Sequence, residues 1–321
     1  MLYRLILLAA FLGLGPAFAQ DDDLPFRDRV NPADGLIYIF IPPGEFWMGC
    51  VPADTDCHDG EKPRHRVTLT KGYWIGQTEV TVGAFRRFVE QTGHRASSTE
   101  TDKGRMYLVT RNEDGSRWLW IKGLGWQTPI RASQKAADDW PVVQVSWRDA
   151  DTYCRWAGGR LPTSAQWERA ARGGREGEIH PWGNAPTPQV GGVLHANGPS
   201  AETKRMFPTM QTFDGYSDGY AILAPVAQFA PNPYGLYDMA GNVYEWVNDW
   251  FDLDFYERSP ATDPTGPRKG ESDEGDNKVM RGGAWNYYPS HHRNSFVGTL
   301  GGEDDFWTSS LGFRCVLAGG A

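Results

Sequence analysis

In three stretches of the chain apolar positions recur at helical spacing, and each stretch starts from a polar cap and runs out at glycine. In TVGAFRRFVEQTGH, Thr81 stands at the cap, Val82, Phe85, Phe88 and Val89 fall on one face, and Gly93 suits a left-handed stop. SWRDADTYCRWAGG sets Ser146 and Asp149 at capping-box spacing and ends on Gly158 or Gly159; LPTSAQWERAARGG repeats the device with Thr163 and Gln166 ahead of Trp167, Ala170 and Ala171. Short strand-type runs, YIFIPPGEFWMG, HRVTLTKGYWIG and LGFRCVLAG, are separated by Gly and Pro. The acidic stretch KGESDEGDNK predicts a solvated loop, and no segment repeats. The pattern predicts one α+β domain with little regular secondary structure.

The first 19 residues read differently. Arg4 precedes the apolar run Leu5 to Leu14, and Ala17-Phe18-Ala19 places small residues where a signal peptidase cuts. The run is too short to span a bilayer, and Gln20 rather than cysteine follows the cut. Residues 1–19 are therefore expected to be a signal peptide, with 20–35 as a lead-in and the mature chain exported, in the periplasm. With 32 Lys and Arg against 40 Asp and Glu, the formal net charge is −8. That balance, without a basic stripe, argues against a nucleic-acid partner. Fourteen Trp, 13 Tyr, 38 Gly and 22 Pro mark an aromatic, loop-rich chain.

Four cysteines in an oxidising compartment allow three pairings. Cys50 and Cys57 share the polar loop GCVPADTDCHDG, which makes a local bridge reasonable and leaves Cys154 and Cys315 to each other. The long-range bridge would add ~5 kcal/mol in the chain-entropy model.

The stretch NPYGLYDMAGNVYEWVNDWF, residues 232–251, offers Asp238 and Glu245 with Gly241 between them, the hard oxygen donors that calcium prefers. Taken alone, the two acids would equally serve as turn caps or arginine partners. Together with IPPGEFWMG, HRVTLTKGYWIGQTEVTVGAFRRFV, WPVVQVSWRDADTYCRWAGGRLPTSAQWERAARGG and RGGAW…LGFRC, the stretch closely resembles the formylglycine-generating enzyme (sulfatase-modifying factor) family over residues 36–317. The resemblance implies a single compact domain, a variant of the C-type lectin fold, with bound calcium. It implies one calcium site on Asp238 and Glu245 with the carbonyls of Gly241 and Val243, and a second on Asn197 and Asp218 with the carbonyls of Gly198 and Tyr220. It also implies a Cys154–Cys315 disulfide.

The family's catalytic residues do not carry over. Active members hold copper(I) between two cysteines a few residues past RGG, and those positions here are Tyr287 and His292. No cysteine lies between Cys154 and Cys315, so no copper is expected. Tyr287, His291 and His292 do not form a compact ligand set, because neighbouring side chains on an extended strand diverge; for them, as for His58 and His65 in the polar loop HDGEKPRHRV, a solvated or packing role is expected over a metal role. No iron-binding N-terminal domain of the ergothioneine-type branch is expected. The resemblance then implies a binding or regulatory protein, with Trp285, Tyr287, Tyr288, His291, His292 and Trp307 around a former active-site cleft that now takes a partner. Among periplasmic members without the cysteine pair, a regulator of type VI secretion, acting with an outer-membrane lipoprotein upstream of a transmembrane threonine kinase, fits best. The alternative is a role in maturation of a pyoverdine siderophore. A calcium-dependent glycan-binding module ranks last.

Overall fold

A computed structural model describes residues 27–109, 116–269, 271–272, 275–299 and 305–319. The signal-peptide expectation lies outside these residues. In chain order the strands and helices are β1 (Asp28–Val30), β2 (Ile37–Ile41), β3 (Gly44–Met48), β4 (His65–Leu69), β5 (Tyr73–Gly76), α1 (Val82–Thr92), α2 (Ser97–Thr101), β6 (Lys103–Val109), β7 (Ser116–Lys122), α3 (Trp147–Trp156) and α4 (Ser164–Arg172). There follow β8 (Gln189–Val190), β9 (Val193–Leu194), α5 (Ala201–Met206), β10 (Tyr244–Trp250), α6 (Phe255–Arg258), β11 (Lys278–Arg281), β12 (Leu311–Phe313) and β13 (Val316–Ala318). None of the described helices is long and apolar enough to cross a membrane.

The helix ends follow local chemistry. Thr81 Oγ1 accepts from Ala84 N, and Gly93, at φ 70°, closes α1. Reciprocal capping boxes start α3 (Ser146 with Asp149) and α4 (Thr163 with Gln166). The strand-type runs resolve into two pairs joined by turns: β2 and β5 lie side by side in the sheet β1-β2-β5-β13, and β3 pairs with β4. A second sheet, β11-β10-β12, takes its centre from VYEWVNDW, where the sequence had pointed to ligands and not to a strand. Parallel β10 and β12 join chain segments more than 60 residues apart.

Two large apolar clusters fill the interior. One gathers Phe85, Phe88, Tyr153, Trp246 and Phe313; the other packs Ile39, Ile75, Trp167 and Val247. The Cys154–Cys315 disulfide is fully buried within the first cluster, and Cys50–Cys57 closes a loop near the surface. The acidic loop before β11 departs from its reading at its end. Lys278 is buried, with Nζ 3.8 Å from the Trp147 ring centroid and 3.7 Å from that of Trp250, and it donates to Asn248 O. Two aromatic faces and a carbonyl hold this cation where water does not.

Candidate functional site

The turn Asp238–Val243, ahead of β10, is the hub of the site. Gly241 adopts φ 85°, and a Cβ there would sit 2.3 Å from Asn197 O, so only glycine permits this approach. Asn242, fully buried, then joins two groups of oxygen atoms. Its Oδ1 accepts from Asn197 Nδ2 at 2.9 Å, and its Nδ2 donates to Glu79 Oε1 at 3.1 Å.

On one side stand Asn197, Gly198, Asp218 and Tyr220. The Asp218 carboxylate accepts from the amides of Gly198 (3.0 Å) and Tyr220 (2.9 Å), while buried Asn197 Oδ1 makes no hydrogen bond. Burial pushes Asp218 up to about 6. On the other side, Asp238 Oδ1 and Glu79 Oε2 are both buried with no donor from the rest of the fold, and the two carboxyls lie within hydrogen-bond reach of each other. Burial is again the main cause that lifts Asp238 to about 6 and Glu79 well above the carboxylate range, with the neighbouring Asp238 charge adding to the latter. Buried polar oxygens left unmade are costly. On each side, such oxygens beside a carboxylate are the donor type that a hard divalent cation takes.

Glu79 was missed in the sequence. Its signal was an acid in GQTEVTV, directly before the apolar face of α1, with no basic residue nearby to pair it. At Glu245, the other acid expected at this site, the fold supplies a counter-charge of its own. Its oxygens accept from Arg314 Nε at 2.9 and 2.8 Å and Nη2 at 2.7 Å, and Oε2 also takes Trp167 Nε1 at 2.9 Å. Those four contacts fill the carboxylate's lone-pair directions. Gly241 and Val243 flank Asn242 in the same buried turn.

The second region is the segment Arg281–Phe296, tied to the hub by Gly241 N to Gly282 O and Trp285 N to Asn242 O. Its expected cleft residues separate sharply by burial. Tyr288 is 52% exposed, Tyr287 and His291 are half-buried, and Trp285 and His292 are at 0%. Trp285 packs among Val143, Phe207 and Val243, and Trp307, also buried, donates Nε1 to Lys103 O. Trp285, His292 and Trp307 are therefore interior residues and not rim anchors, because their large apolar surfaces are covered by neighbouring elements.

His291 and His292 end a 3-10 turn, Pro289–His291, and not an extended strand. Their rings still diverge. His291 stacks on Phe296 at 4.0 Å, shares a hydrogen bond with the Tyr244 hydroxyl, and meets exposed His58 edge-on at 6.3 Å. His292 turns inward to Phe213 and leaves Nε2 buried without a partner. Burial drives both imidazoles down to about 3, with further lowering of His291 by His292, His58 and Arg293. Both rings are neutral at physiological pH. His65 lies half-buried against Tyr256. Beneath this turn Arg293 joins Asp54 (2.8 Å) and Glu61 (2.6 Å), which pins the Cys50–Cys57 loop to the segment. All four cysteines are in disulfides. The Cys50, Asp54 and Cys57 cluster thus holds no thiolate for a metal.

A sparse α+β domain with an internal hub of oxygen donors and a post-RGG segment is the architecture of formylglycine-generating enzyme folds. The model of the sulfatase-modifying factor enzyme 1-like domain matches residues 23–318, and the chain belongs to this family. It is 37% identical to the formylglycine-generating enzyme of Streptomyces coelicolor over 86% of this chain and 87% of that one. It is 31% identical to the inactive C-alpha-formylglycine-generating enzyme 2 of Bos taurus, over 87% of each. A serine/threonine-protein kinase, pkn1 of Chlamydia pneumoniae, is 34% identical over 87% of this chain but only 37% of its own length. Among solved structures PvdO from Pseudomonas aeruginosa superposes with a TM-score of 0.65 at 24% identity, covering 92% of this chain and 98% of PvdO.

Proposed function

We propose that this chain is a non-catalytic periplasmic binding and regulatory protein that keeps the formylglycine-generating enzyme scaffold without its oxidase chemistry. One observation carries the reading: every cysteine is in a disulfide, and the post-RGG segment presents Tyr287 and His292, a phenol and a buried neutral imidazole, in place of soft thiolates. Copper(I) selects thiolate donors, so the segment offers nothing to hold it in the family's manner. Two structural calcium ions brace the fold in this reading, one on Asn197, Asp218 and the backbone of Gly198 and Tyr220, the other on Asp238 and Glu79 with the Gly241–Val243 turn. Calcium supplies charge neutralisation there and no redox step.

The process is regulation of type VI secretion, with an outer-membrane lipoprotein as partner upstream of a threonine kinase. Its support is that a chain named as a serine/threonine-protein kinase carries a domain of this kind. The second reading, maturation of a pyoverdine siderophore, draws on the likeness to PvdO, which at 24% identity is a likeness of fold.

The test has two arms. Purified protein supplied with copper(I), oxygen and a cysteine-containing sulfatase peptide should yield no formylglycine by mass spectrometry and retain no stoichiometric copper; turnover overturns the reading. Affinity capture from envelope fractions should recover a lipoprotein or kinase ectodomain, whereas recovery of siderophore precursor or its enzymes favours the second reading.

A further inference from the structure

A pocket of about 460 Å³ opens beside β13, between the end of α3 and the start of α4. It shares no residue with the hub or the post-RGG segment. Its floor is apolar, made by Leu69, Val316 and Leu317, each at most 6% exposed. Around that floor stand three groups with unused hydrogen-bond donors. Exposed Lys71 has no ion-pair or hydrogen-bond partner among the described residues. Arg160 makes a single side-chain hydrogen bond, from Nη1 to Leu161 O, and no ion pair among the described residues. Gln166 is only 9% exposed, and its Oε1 is held by Thr163 N, which leaves Nε2 without a partner among the described residues. Its Nε2 lines the pocket and can donate to an acceptor from outside the chain.

The one acid in the pocket, Asp263, turns its oxygens to Thr70 N and Thr70 Oγ1. Two cations against one acid leave the pocket locally positive on a chain of net charge −8. The geometry points to a binding site for an organic carboxylate on an apolar body. The charge excess is a single unit and Asp263 stays close, which favours a monoanion over a phosphate dianion. Two sources present this chemistry. A peptide would set its C-terminal carboxylate on Lys71 and Arg160 and lay its last apolar side chains on the floor, since the outer edge of β13 is taken at Val316 by the backbone of Arg160. A small amphiphilic acid would lay its tail on the floor; the volume suits either.

Calorimetric titration of the full chain with octanoate and octanamide, and with the tripeptide Ala-Val-Leu bearing a free or an amidated C-terminus, separates the sources. At least one acid should bind about tenfold or more tighter than its amide, the value of charge-assisted hydrogen bonds. The acid that binds identifies the source. Lys71→Ala with Arg160→Gln should remove that preference. Gln166→Glu keeps the Thr163 capping box and places a like charge against the ligand, so it should abolish binding while the melting temperature holds. Equal binding of acid and amide, no binding of either acid, or full affinity in Gln166→Glu would overturn the assignment.

Discussion

Several buried carboxylates in this protein fall into two groups, those with a guanidinium against them and those without. Glu168 is fully buried, yet it holds Arg172 and Arg281 at 2.7 Å each and accepts Gly49 N at 2.8 Å. Burial raises its pKa, but the two guanidiniums and the amide outweigh that and hold it below the usual range. Glu61 with Arg293 and Glu245 with Arg314 are built the same way. Glu79, Asp218 and Asp238 are as deep in the fold but are not ion-paired, and all three are pushed upward. The fold supplies its own cations for the first kind; for the second, the proposed calcium ions would do so. Desolvation is the shared cost; what differs is who offsets it.

The largest effect that sharpens this contrast comes from breaking a self-sufficient site. Glu168→Gln keeps the shape and leaves Arg172 and Arg281 buried without a counter-charge, so unfolding in urea should show a loss of about 3–5 kcal/mol. The loss should be the same with and without calcium. A loss below about 1 kcal/mol would mean that solvent reaches these arginines, and the contrast would fail.

Next in size is removal of the external cation. Chelation should destabilise the wild type by about 2.7 kcal/mol for each site relative to calcium at a hundred times its dissociation constant, since a ligand of the folded state alone stabilises by mass action. Asp238→Asn and Glu79→Gln should abolish their site's share of the increment. Glu245→Gln should behave like Glu168→Gln, costly and calcium-independent, because Arg314 is left alone. If Glu245→Gln instead removes the calcium increment, the division drawn between Glu79 and Glu245 is wrong.

How much of this was legible follows from sequence distance. The caps at Thr81, Ser146 and Thr163 bond partners three residues on, so their spelling is their structure. The strand-type runs hold for the same reason: alternation and Gly-Pro breaks are local. Asp238 could be singled out because Gly241 and the turn around it are adjacent. Glu245 could not be assigned, since its partner Arg314 is 69 residues away and an isolated acid reads alike as a metal ligand or an ion pair. Glu79 meets Asn242 across 163 residues. Burial of Trp285 and Trp307 depends on segments that pack on them from elsewhere, which RGGAW does not encode. Lys278 belongs to an acidic string by composition and to a pair of tryptophans by tertiary packing.

A smaller effect lies in pH. Asp238 and Asp218, at about 6 in the fold against 3.8 when unperturbed, bind protons more tightly folded than unfolded. Without metal their contribution is fully present below about pH 4 and is lost as pH rises through about 6. In chelator, the difference in melting temperature between the wild type and Asp218→Asn should therefore grow against the wild type across that window. Calcium should reverse it, because the ion requires the charged carboxylate. A difference that is flat in chelator would show that water already solvates Asp218.

The smallest expected effect on stability falls on the cleft, and there it is the absence of change that informs. Tyr288 is half exposed, while His292, four residues on, is fully buried against Phe213. Tyr288→Ala removes a ring that the fold does not cover, so the melting temperature should stay within about 1 °C, as for most surface substitutions. Capture of the partner should nonetheless weaken, since an exposed aromatic anchor contributes to the complex and not to the free domain. His292→Ala should do the opposite, opening a void beside Gly283 and lowering stability whether or not a partner is present. Should both variants bind normally, the partner surface lies away from the post-RGG segment. Should Tyr288→Ala unfold the domain, the segment belongs wholly to the core, and no docking role remains for it.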